Sequence, residues 1–365
     1  MATKVLLIAL NGLLERDLSQ LALPANVTRV PLHPICPASV CPTLTSLVTG
    51  VYPDRHGVVS DAPCSVGAVM PQLHRQRSAN RAKTIFSLAR AAGLKTAAVN
   101  WPLTEGDADI DFLLPDCKDD ETAINQVATI LKTDVPDFAV LRLRSVLDAR
   151  LQYGVDSPEA DAALKMLQAQ LALLLPLAEN VLLVGAVSPQ SVAQKVDLNA
   201  EFVRHDLISL DENGSFADYK AWCQSNGLSS FVYLKNPSNM GVHDQTEALL
   251  EAMRKSGDFG IGAIVSREEA AVKYHLYGSF SFVVCSDGKT VFGNDMTASG
   301  KLPAEKASCG AVGGVPGHLL AAGPAFIPTA AELKTIPDVA ATCASLLGLK
   351  LPMAKGKPIA EILKN

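Results

Sequence analysis

The 365-residue sequence has no basic stripe: charged residues make up 19% of it, and its formal net charge is −5. Nucleic acid is therefore not an expected partner, since proteins that bind it concentrate lysine and arginine on one face. No apolar run reaches the roughly 18 to 20 residues of a membrane-spanning helix. The apolar run Val5–Leu10 is also shorter than a signal-peptide core. We therefore expect a soluble, cytoplasmic protein with no membrane partner.

Cysteine and histidine pairs at the spacings of common metal sites are also missing. The cysteines contain no CxxC pair and are interpreted as reduced, mostly buried thiols; they are Cys36, Cys41, Cys64, Cys117, Cys223, Cys285, Cys309 and Cys343. No two of the seven histidines lie four residues apart or in an H-x-H pattern. The acidic run from Asp107 to Asp120 lacks the glycine and terminal glutamate of a calcium loop, so we interpret it as a solvated loop.

Apolar runs alternate with helical periods along most of the chain, which predicts an α/β fold with a doubly wound, mostly parallel sheet. The predicted strands are Val5–Leu10, Thr96–Val99, Phe138–Leu143, Val181–Val184 and Leu319–Ala322. The predicted helices are Thr84–Ala92, Glu121–Leu131, Pro158–Leu175 and Pro337–Leu347, two of which end at a glycine.

The pattern changes between about residues 199 and 295, where predicted strands become shorter. These strands are Phe231–Leu234, Ile261–Val265, Phe280–Cys285 and Thr290–Phe292, with predicted helices at Phe216–Cys223 and Asp244–Lys255. We therefore predict a core domain of residues 1–198 and 296–365, and a smaller α+β lobe of residues 199–295 inserted in it.

The stretch Pro34–Asp61 is predicted to form a strand end, a turn bracketed by prolines, and a short helix over Thr43–Val48. A helix N-terminus beyond the carboxyl end of a strand presents free N–H groups and suits an anion. The sequence therefore predicts the scaffold of a phosphate site at this helix.

Several segments resemble the type I phosphodiesterase/nucleotide pyrophosphatase branch of the alkaline-phosphatase superfamily. The first segment carries Pro37, Pro42, Thr49-Gly50, Pro53 and His56-Gly57 at the spacing of that family's P-x-x-T-x-P…TG-x-x-P-x-x-HG motif. Further similar segments are Lys83–Thr104 with its Trp101-Pro102 pair, the Gly323-Pro324 turn, and the closing segment Ile336–Leu363. The resemblance covers nearly the whole chain.

The resemblance implies phosphate-ester hydrolysis by a Thr or Ser nucleophile and two divalent ions, usually zinc, held by three Asp and three His. Matched to the family motifs, this chain has other residues at all seven positions. They are Asn11, Val40 at the nucleophile position, Leu147, Leu151, Ala186, Val187 and Cys309. A shift of one residue would place Asp148 at the Leu147 position, which restores one ligand at most. We therefore expect no metal cofactor and no catalytic residue.

Two functional hypotheses follow. In the first, the chain is a pseudoenzyme with a binding or regulatory role toward an unknown small molecule or protein. In the alternative, it is an active phosphoric ester hydrolase that uses relocated groups, for which Ser39, Cys41 and Thr43 are weak nucleophile candidates. A metal site made by Cys36, Cys41 and Cys309 is a further possibility. We also expect Val40, Leu147, Leu151, Ala186 and Val187 to form an apolar plug around Asn11.

Overall fold

The computed structural model describes residues 3–21, 27–297 and 305–364. In chain order its strands are β1 (Thr3–Leu10), β2 (Thr28–His33), β3 (Thr96–Val99), β4 (Phe112–Leu114), β5 (Phe138–Leu143), β6 (Ala178–Gly185), β7 (Gln190–Ser191), β8 (Gln194–Asp197), β9 (Ile208–Leu210), β10 (Phe216–Tyr219), β11 (Ala221–Ser225), β12 (Ser229–Leu234), β13 (Ile261–Ser266), β14 (Phe282–Ser286), β15 (Thr290–Gly293), β16 (Ala307–Ser308), β17 (Gly317–Ala322) and β18 (Lys334–Thr335).

The α-helices are α1 (Val40–Thr49), α2 (Pro53–His56), α3 (Ile85–Ala91), α4 (Asp120–Thr133), α5 (Ser145–Tyr153), α6 (Pro158–Leu174), α7 (Leu198–Arg204), α8 (Met240–Ser256), α9 (Arg267–Tyr274) and α10 (Ile336–Leu346). No helix among the described residues is long and apolar enough to cross a bilayer.

The central sheet has eight strands in the order β18-β2-β17-β6-β1-β5-β3-β4. Strand β1 pairs in parallel with β5 and β6, and β3 pairs in parallel with β5 and β4. Among the strands that the structure describes in this sheet, only β17 runs against its neighbours, because it pairs antiparallel with both β6 and β2. The predicted doubly wound, mostly parallel sheet is confirmed, and the predicted strand Leu319–Ala322 is its one reversed member.

Two apolar cores cover the two faces of the sheet because successive residues of β1 point to opposite faces. Val5, Leu7 and Ala9 belong to one core with apolar residues of α1, α3 and α10. Leu6, Ile8 and Leu10 belong to the other core with residues of α4 and α6. Nearly every side chain of β1 is buried, as expected for a strand covered on both faces.

A second, four-stranded antiparallel sheet lies within the predicted inserted lobe, in the order β11-β12-β14-β13. A third apolar core surrounds it, and its buried members all fall between Val196 and Met296. Val59 and Val66 from the first part of the chain pack against this core. The domain boundaries proposed from the sequence, 1–198 with 296–365 against 199–295, remain a prediction.

The helix predicted over Phe216–Cys223 is wrong. This segment forms β10 and β11, with Ala221–Ser225 paired residue by residue to β12. The segment is too short for its apolar spacing to separate a helix from a strand. Trp222 is fully buried and packs edge to face against Phe216, with ring centroids 6.0 Å apart. Strand pairing and aromatic packing therefore favour a strand over a helix here.

Candidate functional site

Several chain segments meet at the carboxyl ends of the parallel strands, where open α/β sheets usually bind ligands. Asn11 follows β1, Asn100 follows β3, Arg144 follows β5, and Ala186 follows β6. Helix α1 begins at Val40 after the loop that leaves β2. Three of the sequence positions identified by the family motifs, Asn11, Val40 and Ala186, therefore lie at the carboxyl ends of the strands.

The Asn11-Gly12 pair is closely packed between two of these segments. Gly12 has a φ of 91°, and its N–H donates to the carbonyl oxygen of Val187 at 2.8 Å. A Cβ on Gly12 would lie 2.6 Å from both the backbone nitrogen and Cα of Leu147, so only glycine allows this approach. Asn11, Leu147 and Val187 are all buried. The structure therefore brings these three sequence-predicted positions together.

The remaining predicted positions are more scattered. Ala186 is buried in the core that includes α1, whereas Leu151 and Cys309 are half-buried. Val40 is also half-buried and lines an open cleft of about 490 Å³. The expected apolar plug is therefore wrong for Val40, because the cleft leaves one side of this residue uncovered. A polar group, rather than an apolar plug, contacts the first turn of α1.

The N-terminus of α1 is held by a carboxylate from a distant loop. Asp61 Oδ1 accepts a hydrogen bond from the backbone N–H of Cys41 at 2.6 Å. Burial raises the pKa of the Asp61 carboxyl, and the amides of Cys41 and Val40 together with the Arg142 charge oppose that rise. The Asp61 backbone is itself fixed, because its N–H donates to Asn226 Oδ1 at 3.0 Å. The anion position predicted at this helix is thus filled by the chain's own carboxylate.

The three weak nucleophile candidates are all buried. Ser39 precedes α1 as its N-cap and Thr43 lies in its first turn, and neither hydroxyl has a hydrogen-bond partner in the described part of the chain. Burial, followed by the charge of Asp61, raises the pKa of the Cys41 thiol well above its usual value. Burial and Asp61 likewise raise the pKa of Cys309. A raised pKa reduces the fraction of thiolate, so neither thiol is activated as a nucleophile.

Three unpaired hydrogen-bond donors belong to side chains that line the cleft beside Val40. They are Asn100 Nδ2, Trp101 Nε1 and Arg142 Nε, all buried and without a partner among the described residues. The Asn100 oxygen accepts from the Cys117 N–H at 2.6 Å, which fixes the orientation of the amide. Sequence reasoning did not identify Asn100 or Arg142 as site residues, since each becomes informative only when the strand ends come together.

A buried ion pair supports the loop that follows Asn11. The Arg150 guanidinium donates to both carboxylate oxygens of Asp17, at 2.7 and 2.9 Å, and also to the carbonyl oxygen of Gly12. Asp17 in turn accepts from the Leu14 N–H at 2.7 Å. The pair links α5 to the Gly12–Leu14 turn and so fixes Leu147 against Gly12. Its two residues are 133 positions apart, and the sequence analysis did not find them.

A family model described as type I phosphodiesterase/nucleotide pyrophosphatase matches residues 8–293. The chain belongs to this family. Among solved structures, murine ectonucleotide pyrophosphatase/phosphodiesterase 5 is similar at a TM-score of 0.77, with 16% identity over 99% of this chain and 100% of that one. An inactive variant of the murine protein in complex with AMP matches with the same values. The human protein matches at 0.76, with 15% identity over all of both chains. A search of curated protein sequences finds no match.

The family typically uses zinc, and the donor atoms at the seven matched positions do not fit a pair of zinc ions. Five of the positions carry hydrocarbon side chains, one carries the Asn11 amide, and only one, Cys309, carries a side chain that commonly binds zinc. Zinc sites in proteins are built from thiolate, imidazole and carboxylate groups. Asp148, the neighbour of Leu147, is exposed and pairs with Arg144 at 3.6 Å. We therefore derive no reaction step through a metal.

The only cluster of three or more metal-ligating side chains that the described residues form lies elsewhere. It consists of His243, Asp244 and Glu247 on α8, whose ligand atoms lie within 4.8 Å of one another. Cys36, Cys41 and Cys309 do not form such a cluster. His56, the histidine of the family's HG turn, is fully buried with Nε2 3.0 Å from Ser46 Oγ and Nδ1 accepting from the Val58 N–H.

Proposed function

We propose that this chain is a catalytically inactive member of the type I phosphodiesterase/nucleotide pyrophosphatase family with a binding or regulatory role. The observation that carries this proposal is the contact between Leu147 and the Asn11-Gly12 pair. The family resemblance implies charged metal ligands at Asn11 and Leu147, and the chain has an amide and a buried hydrocarbon there. Two divalent ions need several oxygen or nitrogen donors at this point to be held.

The first turn of α1 supports the same proposal. In the family this turn would carry the nucleophile, whereas here it carries Val40, which has no hydroxyl. The Asp61 carboxylate accepts from the Cys41 N–H and thus competes with any phosphate for the free amides of the helix. A substrate phosphate would have to displace this hydrogen-bonded carboxylate, whose charge has the same sign as that of phosphate.

The alternative, an active hydrolase with relocated groups, has little support from the geometry. A nucleophile needs an adjacent base or a lowered pKa. Burial raises the pKa of the Cys41 thiol, and Ser39 and Thr43 have no hydrogen-bonded base among the described residues. Hydrolysis of a phosphate ester by the purified protein would favour this alternative.

The cleft beside Val40 is the binding site that we propose. Polar and cationic side chains that line it, among them Asn100, Arg142 and Arg144, suit a ligand rich in hydrogen-bond acceptors. A nucleotide-like small molecule has this chemistry, and the inactive murine variant is known in complex with AMP. We infer that the cleft binds an acceptor-rich small molecule without converting it.

Zinc content tests the loss of the metal pair directly. The purified protein is equilibrated with excess zinc, dialysed, and analysed for bound zinc per chain. The variant His243→Ala is measured in parallel because the surface cluster on α8 could hold one ion. We expect no stoichiometric zinc in the variant. Two zinc ions per chain that survive the His243→Ala change would contradict the proposal.

A further inference from the structure

A second, larger cleft lies at the opposite end of α1 and has a different charge. It has a volume of about 710 Å³, and Thr49, the last residue of α1, lines it. At a rise of about 1.5 Å per residue, Thr49 is about 14 Å along the helix from Val40. This cleft and the one beside Val40 have no lining residue in common. We call it the basic cleft, because the charged residues that line it are Arg55, Arg81, Lys83 and Lys355.

The four cations lie together, and no carboxylate is found among the described residues that line the cleft, in a chain whose net charge is −5. Arg55 has a distant partner in Asp54 at 3.8 Å. Arg81, Lys83 and Lys355 form no ion pair with any residue that the structure describes. Like charges that face one concave surface repel one another, and the field they produce attracts an anion. Three unpaired cations would balance a ligand with at least two negative charges.

Apolar side chains line the same cleft beside these charges. Val51, Leu351 and Met353 line the cleft, and Met353 is 72% exposed. An exposed methionine beside other apolar side chains gives an adaptable surface for the hydrocarbon part of a ligand. The volume of the cleft lies within the range of small-molecule sites, roughly 300 to 1,000 Å³.

The backbone that carries Lys355 and Met353 is held in place on both sides. The Lys355 N–H donates to the carbonyl oxygen of Gly50 at 2.8 Å, and Gly50 ends α1 at a φ of 69°. A Cβ on Gly356 would lie 2.1 Å from the carbonyl carbon of Pro337, so this loop rests directly on the start of α10. The site is therefore formed before a ligand binds, which lowers the entropy cost of binding.

We propose that the basic cleft binds a small amphiphilic diphosphate, with the diphosphate on Arg81, Lys83 and Lys355 and an apolar group on Leu351 and Met353. The chemistry admits two sources, free pyrophosphate and an organic diphosphate. The apolar side chains favour the organic compound. The proposal does not depend on the inactive state of the α1 N-terminus, because it concerns the other end of the helix.

Binding affinities measured by isothermal titration calorimetry at low salt, with geranyl diphosphate and with inorganic pyrophosphate, test the proposal. We expect both to bind, geranyl diphosphate more tightly, and both to weaken at high salt. Lys83→Ala/Lys355→Ala should reduce both affinities by about tenfold or more. Lys132→Ala/Lys165→Ala, which removes two exposed lysines of α4 and α6, should not change them. Met353→Ser should remove only the advantage of geranyl diphosphate.

Several results would overturn the proposal. These are no binding of either probe, equal affinities for the two probes, or equal losses in the two double-lysine variants. A loss of binding in Arg142→Ala would place the probes in the cleft beside Val40 and would also contradict it. Circular dichroism of each variant shows that it is folded before it is titrated.

Discussion

The Asp61 carboxylate accepts a 2.6 Å hydrogen bond from the backbone N–H of Cys41 in the first turn of α1. This bond joins residues 20 positions apart and places a negative charge on the free amides of a helix. It thereby satisfies the anion position that the sequence predicts, but with a group from the chain itself. Burial, followed by the charge of this carboxylate, raises the pKa of the neighbouring Cys41 thiol.

Removal of this carboxylate should open the helix N-terminus to anions. We expect Asp61→Ala to bind inorganic phosphate at least about tenfold more tightly than the unmodified protein, because free amides and the helix dipole favour an anion. Asp116→Ala is the control, since Asp116 lines the same cleft but pairs with Arg75 at 3.3 Å. Isothermal titration measures both. Equal phosphate affinities for the unmodified protein and Asp61→Ala would show that Asp61 does not block the site.

A carboxylate restored at Leu147 should destabilise the fold and not recover activity. Leu147 is buried against Gly12, and an unpaired buried charge there should lower the free energy of unfolding by about 2 to 4 kcal/mol. The matched control is Leu151→Asp, one turn later on α5, where the side chain is only half-buried and the loss should be smaller. Urea unfolding compares them. A neutral Leu147→Asp would mean that this position is open to water.

The buried pair of Asp17 and Arg150 should contribute strongly to stability. Asp17→Ala would leave the Arg150 charge buried without its partner, which should cost about 3 to 5 kcal/mol in the free energy of unfolding. Asp218→Ala removes the partner of Lys235 in a surface pair and should leave the unfolding midpoint unchanged. Similar midpoints for the two variants would contradict the structural role of the buried pair.

Five strands of the main sheet are predictable from the sequence, whereas β2, β4, β18 and part of the site are not. The strands Thr96–Val99 and Phe138–Leu143 have the predicted bounds, because a strand buried on both faces is a continuous apolar run between turns. The order of the motifs also predicts that Asn11 and Val40 lie at the carboxyl ends of the strands. The strand bounds follow from residues that are neighbours in the chain, and the shared position of Asn11 and Val40 follows from the order of the motifs.

The missed features depend on contacts between distant residues. Nothing near Asp61 in the sequence shows that its carboxylate reaches the Cys41 amide, and the Asp17–Arg150 pair spans 133 positions. The open side of Val40 follows from how the loops around it are arranged. The segment Phe216–Cys223 was misassigned for a similar reason, since its pairing with β12 decides its conformation.

The stability of the protein should fall as the solution is made acidic, in part through His56. Burial lowers the pKa of the His56 imidazole to about 3 in the folded state, against an ordinary value of 6.5. Between these values the unfolded chain binds a proton that the folded chain does not, so the free energy of unfolding decreases as the pH falls. The decrease should reach up to about 1.4 kcal/mol per pH unit.

Urea unfolding at several pH values between about 6.5 and 4 measures this slope. His56→Gln keeps a side chain that can bond to Ser46 and the Val58 N–H, and its slope should be flatter than that of the unmodified protein. The control His205→Gln changes an exposed histidine and should leave the slope unchanged. If His56→Gln and the unmodified protein have the same slope, His56 is not the group that titrates.

The hydrolysis rate of bis-p-nitrophenyl phosphate in excess zinc tests the central claim most directly. We predict a rate equal to that of buffer with the same zinc, because Val40 provides no hydroxyl and the positions around Asn11 provide no metal pair. Zinc-dependent release of p-nitrophenol that rises in proportion to the protein would contradict the account. Loss of that release in Cys41→Ala would then identify the relocated nucleophile.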